Sequence, residues 1–309
     1  MKRWCHQIFW LFLAGPFAVA TAQELSQSYR LIPGETYLLS LDIQQNTRSE
    51  AGEGDAITLS STLEMEFTVD SLKDPDLIHM SVQYRALSLA MLAPEMGMDI
   101  NSTSNTSPLL TSLIDSLEQT RFCVVTDARG ALLQQRGLAA RFGELASQPA
   151  RDTAELGVIL QTLKEVYGPD AFSSLFGLFI TVYPVVRPMS NWTNDITYYF
   201  NTRPVNMVNR YTLSRTTENL MIIQGLGMIE AGQQFREQTD MGVVESEVTG
   251  TQTYDLQMDR VTGWPLKCVS RQRVVVETTI IESAYLPEGL KIPSYTETVF
   301  EVNGSKLNP

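Results

Sequence analysis

Ile57-Thr58-Leu59-Ser60-Ser61-Thr62-Leu63-Glu64-Met65-Glu66-Phe67-Thr68-Val69 is the stretch that decides the fold. Ile57, Leu59, Leu63, Met65, Phe67 and Val69 alternate with Thr58, Ser60, Thr62, Glu64, Glu66 and Thr68. Ser61 alone interrupts the apolar side. A helix repeats its apolar positions every three to four residues, whereas a period of two sends successive side chains to opposite faces of a strand. Over this length the pattern predicts a long antiparallel strand with one dry face and one wet face. Working outward, Ile78, Met80, Val82, Tyr84 and Ala86 repeat the alternation over residues 78–86. The register then flips, because Leu87 and Leu89 are apolar and Ser88 is not. Ser71-Leu72-Lys73-Asp74-Pro75-Asp76 between the two strands carries turn chemistry. Tyr37, Leu39, Leu41 and Ile43 supply an earlier strand, so the first part of the chain predicts a meander.

The period changes in the middle. After the polar loop Asn101–Ser107, Pro108 opens a helix with Leu109, Leu110, Leu113, Ile114 and Leu117 on one stripe. Proline suits a first helical turn because its missing N–H would have no partner there. A strand over Arg121–Thr126 leads into the turn Asp127-Ala128-Arg129-Gly130 and a return strand. Helical spacing resumes over Leu138–Ala146 and is strongest over 153–167, where Leu156, Ile159, Leu160, Leu163 and Val166 share a face. Asp152 and Glu155 read as a capping box for that helix. Gly168-Pro169 ends it, and Phe172, Leu175, Phe176 and Phe179 mark a second, very apolar helix. From Trp192 onward the chain returns to strands near 192–200, 205–215, 219–229, 243–259, 265–282 and 294–303.

The fold class is therefore α+β, with long antiparallel sheets and helices from the middle of the chain packed on one face. The sheet is either a half-barrel or two similar meanders. Phe122–Ala131 and Tyr254–Trp264 each read as a strand, an Asp, a Gly and a return strand. This suggests pseudo-repeated halves 23–182 and 183–309 within a single mature domain, 23–309. Gly225-Leu226-Gly227, inside a strand run, reads as a bulge or bend.

The first residues address export. Lys2 and Arg3 precede an apolar run from Ile8 to Ala20, and Ala20-Thr21-Ala22 stands before Gln23. A basic start, a short apolar middle and small residues two apart predict a signal peptide over residues 1–22, removed on export. The run is too short to span a bilayer and no second one follows, so the expected product is exported to the periplasm or the extracellular space and does not span the membrane. Gln23 stands where a lipid-modified cysteine would be needed. Losing Lys2 and Arg3, with no acidic residue among 1–22, takes the formal charge from -12 to -14. Such a surface repels phosphate, which excludes nucleic acid as a partner class. Cys123 and Cys268 remain, either as a disulfide or as two buried thiols.

Chemistry-bearing residues are few. After cleavage His79 is the one histidine, on the wet face of strand 78–86. No HExxH, CxxC or phosphate-binding glycine loop is present. Glu64 with Glu66, and Glu245 with Glu247, are carboxylate pairs on wet strand faces, where solvated acids are ordinary. No catalytic, cofactor-binding or metal-ligating residue is nominated, and no cofactor is expected. Phe172, Phe176, Phe179, Met91, Met96 and Met98 either fill the core between helices and sheet or line a greasy cleft. The function expected is that of an exported, non-enzymatic binding protein. The alternatives are a carrier of a hydrophobic molecule and a structural partner in the cell envelope that pairs through its sheet edge. The partner is accordingly a hydrophobic small molecule or an envelope protein.

Leu31-Ile32-Pro33-Gly34-Glu35-Thr36-Tyr37, the Phe122–Gly130 hairpin, Tyr183-Pro184 followed by Trp192, and the Tyr254–Trp264 strand and turn carry a resemblance. Together they resemble a family of secreted bacterial proteins of uncharacterised function over nearly all of the mature chain. The resemblance implies a mixed antiparallel β fold with inserted helices and no known activity. Ser190-Asn191 stand where that family usually has Gly-Asp before the tryptophan. A looser likeness, in architecture alone, is to periplasmic lipoprotein carriers with an open half-barrel.

Overall fold

The computed structural model describes residues 28–50, 56–74, 77–94, 98–103, 108–147, 153–184, 190–200, 203–230, 234–239 and 242–307. The signal segment 1–22, Pro75 and Asp76 of the first turn, Met96 and the cap Asp152 lie outside these residues, as do the side chains of Met98 and Glu155.

Strands dominate. They are β1 (Thr36–Ser49), β2 (Ile57–Asp74), β3 (Leu77–Ala93), β4 (Met98–Asn101), β5 (Arg121–Asp127), β6 (Leu132–Arg136), β7 (Asn191–Phe200), β8 (Arg203–Thr216), β9 (Leu220–Ile229), β10 (Gln234–Thr239), β11 (Gly242–Asp259), β12 (Pro265–Glu282) and β13 (Lys291–Leu307). The helices α1 (Pro108–Glu118), α2 (Leu138–Ala146), α3 (Thr153–Tyr167) and α4 (Pro169–Phe179) come from one part of the chain, with the β5–β6 hairpin between α1 and the other three. The α+β expectation is thus right in kind, but the molecule is mostly strand with a small helical share.

The 13 strands among the described residues join one antiparallel sheet in the order β6-β5-β3-β2-β1-β13-β12-β11-β9-β8-β7. The short strands β4 and β10 hang off β3 and β11. On either side of β13 the chain runs as a five-strand meander, with its off-path strand after the third member. The two Asp-Gly turns occupy the same place in each meander, between β5 and β6 and between β11 and β12.

The sheet is not closed, yet it curls strongly. The Tyr198 hydroxyl on β7 donates to Gln272 Oε1 on β12 at 3.2 Å, although β8, β9 and β11 lie between them in the sheet. In a flat sheet these positions would be about 19 Å apart, four inter-strand spacings, which is beyond the reach of the two side chains. The concave interior receives Phe67, Tyr84, Phe122, Ile196, Tyr254 and Phe300, all buried, and the helices pack into it.

Several sequence features find physical causes. The flip after Ala86 is a β-bulge: Glu64 pairs with Ala86 and Met65 with Tyr84, which leaves Arg85 as the extra residue. Other expectations are corrected. Ser71–Asp74 is not a turn but the end of β2, paired irregularly with β3. β4 and β10 were not anticipated, because both are short and lack clean alternation. Gly225 and Gly227 are neither bulge nor bend, for both sit in regular ladders with β8 and β11. They face inward, where a Cβ on Gly225 would meet the Tyr211 ring at 2.7 Å and one on Gly227 would meet Asn209 Oδ1 at 2.4 Å. Cys123 and Cys268 are unpaired, and Cys123 is exposed on β5 rather than buried.

Candidate functional site

The most distinctive local construction lies where the helical block meets the concave face, and it begins at Ser61. The one polar residue on the apolar side of β2 is 1% exposed, and its hydroxyl lies 2.8 Å from the Tyr167 hydroxyl. Tyr167 is the last residue of α3. Its hydroxyl also donates to the Ser88 carbonyl on β3, and its own carbonyl accepts from the Tyr84 hydroxyl at 2.8 Å. A buried hydroxyl without partners costs about 1–3 kcal/mol, so each group here satisfies the others. Tyr167 therefore latches the α3–α4 corner to two strands. Gly168 makes the corner possible: a Cβ there would lie 2.2 Å from the Lys164 carbonyl oxygen.

Around the latch, contact between helices and sheet is aromatic. Phe172 meets Phe122 at 5.0 Å between ring centroids, Phe176 meets Phe67 at 6.4 Å, and Phe179 meets Phe300 at 5.4 Å. Phe172, Phe176 and Phe179 are all buried, so these residues fill the interior rather than line an open cleft. Met91 is half-buried and stands apart from this packing, beside Leu59 and Ile100.

The far end of α4 is tied down differently. Tyr199 N–H on the edge strand β7 donates to Ser174 Oγ at 2.8 Å, and Gly177 packs against Ile196. Residues 180–184 then form a strap. Trp192 Nε1 donates to the Val182 carbonyl, and Asn194 Nδ2 donates to the carbonyls of Thr181 and Tyr183. Toward the opposite edge, the Thr181 hydroxyl donates to the Gly130 carbonyl, and the Tyr29 hydroxyl to the Ile180 carbonyl. Tyr183 donates to the Gly263 carbonyl at 2.8 Å. Tyr29 N–H bonds the Ala128 carbonyl and Arg30 N–H the Thr262 carbonyl, which brings both Asp-Gly turns to one knot. Each turn is built alike: Asp127 Oδ1 accepts from Arg129 and Ala131 N–H, and Asp259 Oδ1 from Val261 and Thr262 N–H. Gly130 and Gly263 supply the positive φ values, 86° and 77°. The short motifs scattered along the sequence thus meet in space, and they tie the curled sheet together.

The interior is electrically quiet. Among the described residues the buried polar side chains are Ser, Thr, Asn and Gln, with no buried Asp, Glu, Lys, Arg or His. Its titratable groups are tyrosines and one thiol. Burial pushes the hydroxyls of Tyr84, Tyr167, Tyr183, Tyr211 and Tyr254 well above the usual tyrosine range. Burial likewise raises Tyr198 to about 12 and the Cys268 thiol to about 12. His79 is half-buried on the outer side of β3, and Glu66 pairs with Arg85 at 3.2 Å. Glu245 and Glu247 sit on β11 opposite Thr279 and Glu277 of β12. These acids and the histidine do not converge, and among the described residues no cluster of three metal-ligating side chains forms. Sequence reasoning missed Tyr167, the hub of the site. Its visible trace was Ser61, the gap in an otherwise unbroken apolar face.

Comparison with solved structures returns distant likenesses. A lipovitellin structure described by its lipid–protein interactions matches 91% of this chain at 9% identity and a TM-score of 0.49, and this chain spans 26% of it. An outer-membrane channel from Pseudomonas putida F1 matches 91% of this chain at 8% identity, over 98% of its own length, with a TM-score of 0.20. Salmonella typhi OmpF matches 88% of this chain at 7% identity, over 98% of its own length, with a TM-score of 0.24. At these scores none of them bears on function. No curated protein sequence matches the chain. The model of DUF6263, a family of unknown function, matches residues 75–265, more than half of the chain, and the chain belongs to that family.

Proposed function

We propose that the chain is an exported, non-enzymatic binding protein that carries an apolar or amphipathic molecule between its helical cover and the concave face of its sheet. One observation carries the reading. An unclosed, strongly curled sheet turns an apolar face inward, and helices from the middle of the chain cover that face, α4 through aromatic packing. The hydrophobic part of this packing is non-directional, so an apolar ligand can take over burial that the rings now give one another, at the loss of about 0.5–1.5 kcal/mol for each ring pair separated. The polar ties that hold the cover are Tyr167 at one corner, the 180–184 strap at the other end, and a single bond between α4 and β7, from Tyr199 N–H to Ser174 Oγ. Parting α4 from β7 breaks the Tyr199 N–H to Ser174 Oγ bond but none of the strand-to-strand bonds between β7 and β8, while the Trp192 and Asn194 bonds keep the strap in place. Export rests on the leader-like residues 1–22 and the acidic charge. The non-enzymatic reading is supported by the uncharged interior and by ionisable groups that do not converge.

The edge-pairing alternative is weaker. At one end of the sheet α4 covers β7, and at the other α2 and α4 lie against β6. Among the described residues, β4 and β10 present short edges of four and six residues, and β11 is unpaired on one side at Val248 and Thr249.

Titration of delipidated protein with a fluorescent long-chain fatty acid tests the reading. Saturable binding near one molecule per chain, displaced by unlabelled fatty acid, is expected; no saturable binding overturns it. The seam itself can be probed, because a Cβ built on Gly177 lies 3.7 Å from Ile196 Cβ. That separation suits a disulfide, so Gly177→Cys with Ile196→Cys, in a Cys123→Ser background, would staple α4 to β7.

A further inference from the structure

The outer face of the sheet carries a separate feature, a groove of about 550 Å³ across β8, β9, β11 and β12. It opens at a notch in the sheet. β11 pairs with β10 up to Glu247 and with β9 from Gly250, so Val248 and Thr249 have neither strand beside them on that side. Val208, Met228 and Val275 give the groove apolar walls, and Met228 is 45% exposed. Leu226 next to it is 43% exposed, which extends the apolar strip along β9. Large apolar side chains left in water side by side on a strand are a mark of an interaction surface.

Charge decides what fits. On a chain of net charge -12, this groove is lined by two guanidinium groups, Arg210 and Arg273. Register places Arg273, Thr251, Met228 and Val208 in one cross-strand row, with Arg210 two residues along β8. Arg273 also lies over the Tyr295 ring at 5.8 Å, outside the groove lining. Arg210 forms no ion pair among the described residues. One carboxylate, Glu230, shares the lining.

We infer that this groove binds a single-chain amphiphile with an anionic head: Arg210 and Arg273 hold the head, and Met228, Val208 and Val275 hold the chain. A guanidinium fork matches phosphate and carboxylate oxygens, whereas a free inorganic anion would gain nothing from the apolar walls. The site is independent of the covered interior.

Calorimetry with octyl phosphate below its micelle concentration tests the assignment, with inorganic phosphate and octanol as separate arms. Octyl phosphate is expected to bind at least ten-fold more tightly than either. Arg210→Gln and Arg273→Gln should each weaken it ten-fold or more, and Glu230→Gln should tighten it. Thr251→Trp, which fills the groove without touching charge, should abolish binding. The oxidised Gly177→Cys/Ile196→Cys protein should bind octyl phosphate unchanged, which separates this site from the interior one. Inorganic phosphate binding as tightly, binding insensitive to both arginines, or no binding would each overturn the inference.

Discussion

Tyr167 ends α3 with both its hydroxyl and its carbonyl bonded to the sheet. Tyr167→Phe leaves the Ser61 hydroxyl and the Ser88 carbonyl without that partner, and should cost about 1–3 kcal/mol in urea unfolding. Adding Ser61→Ala removes one orphan, so the double variant should be less destabilised than the two single costs summed. Full additivity would show that the two hydroxyls are not coupled. Half of this site was legible: Ser61 stands out in the alternation, but no local pattern names a partner 106 residues away. The same limit applied to Gly225 and Gly227, whose absent side chains make room for Tyr211, Asn209 and Tyr254 from neighbouring strands. Gly227→Ala should destabilise by about 1–3 kcal/mol. The cysteines give a labelling test: a maleimide should modify Cys123 in the folded protein and reach Cys268 only after unfolding, as read by peptide mapping. Equal modification under native conditions would contradict the burial of Cys268.

Elements were legible wherever the alternation was long. β2, β3, β11 and β12 each run 17 or 18 residues; all four read as strands, and the alternation named the dry faces of β2 and β3. Gln234-Phe235-Arg236-Glu237-Gln238-Thr239 has one apolar residue, so nothing in it announced β10. Its pairing with β11 decides the outcome, and pairing is a tertiary fact. The matched strand order of the two meanders, with matched Asp-Gly turns, is what a duplicated unit would leave. Superposing the backbone of β1–β6 on that of β7–β12 is the check, with corresponding strands expected to overlay. At Gly304 on β13 a Cβ would meet the Pro265 carbonyl oxygen at 1.9 Å. Both atoms belong to paired strands, so Gly304→Ala should cost about 3 kcal/mol and lower the thermal midpoint more than Gly143→Ala, which meets nothing within 4 Å.

At the scale of the whole molecule, the buried tyrosines and Cys268 set the response to alkali. Burial holds their protons to higher pH in the folded protein, so the unfolded chain deprotonates first. Stability is therefore fully present below about pH 9 and falls as pH rises toward 12, because above pH 9 the folded state binds more protons than the unfolded one. Urea midpoints at pH 7, 9 and 11 should decline in that order, with tyrosinate absorbance rising together with unfolding. A flat profile would contradict the burial of these hydroxyls. Curvature was the least legible property of all. Alternation reports which face is dry but not how far the sheet bends, and the bend depends on knots such as Tyr29, Tyr183 and the two turns.

The central claim is that an apolar ligand enters between α4 and the edge strand β7. The Gly177→Cys/Ile196→Cys protein, titrated with the fluorescent fatty acid before and after reduction, tests it most directly. The account predicts binding lost at least ten-fold in the oxidised form and restored by dithiothreitol. Equal binding in the two forms would contradict it.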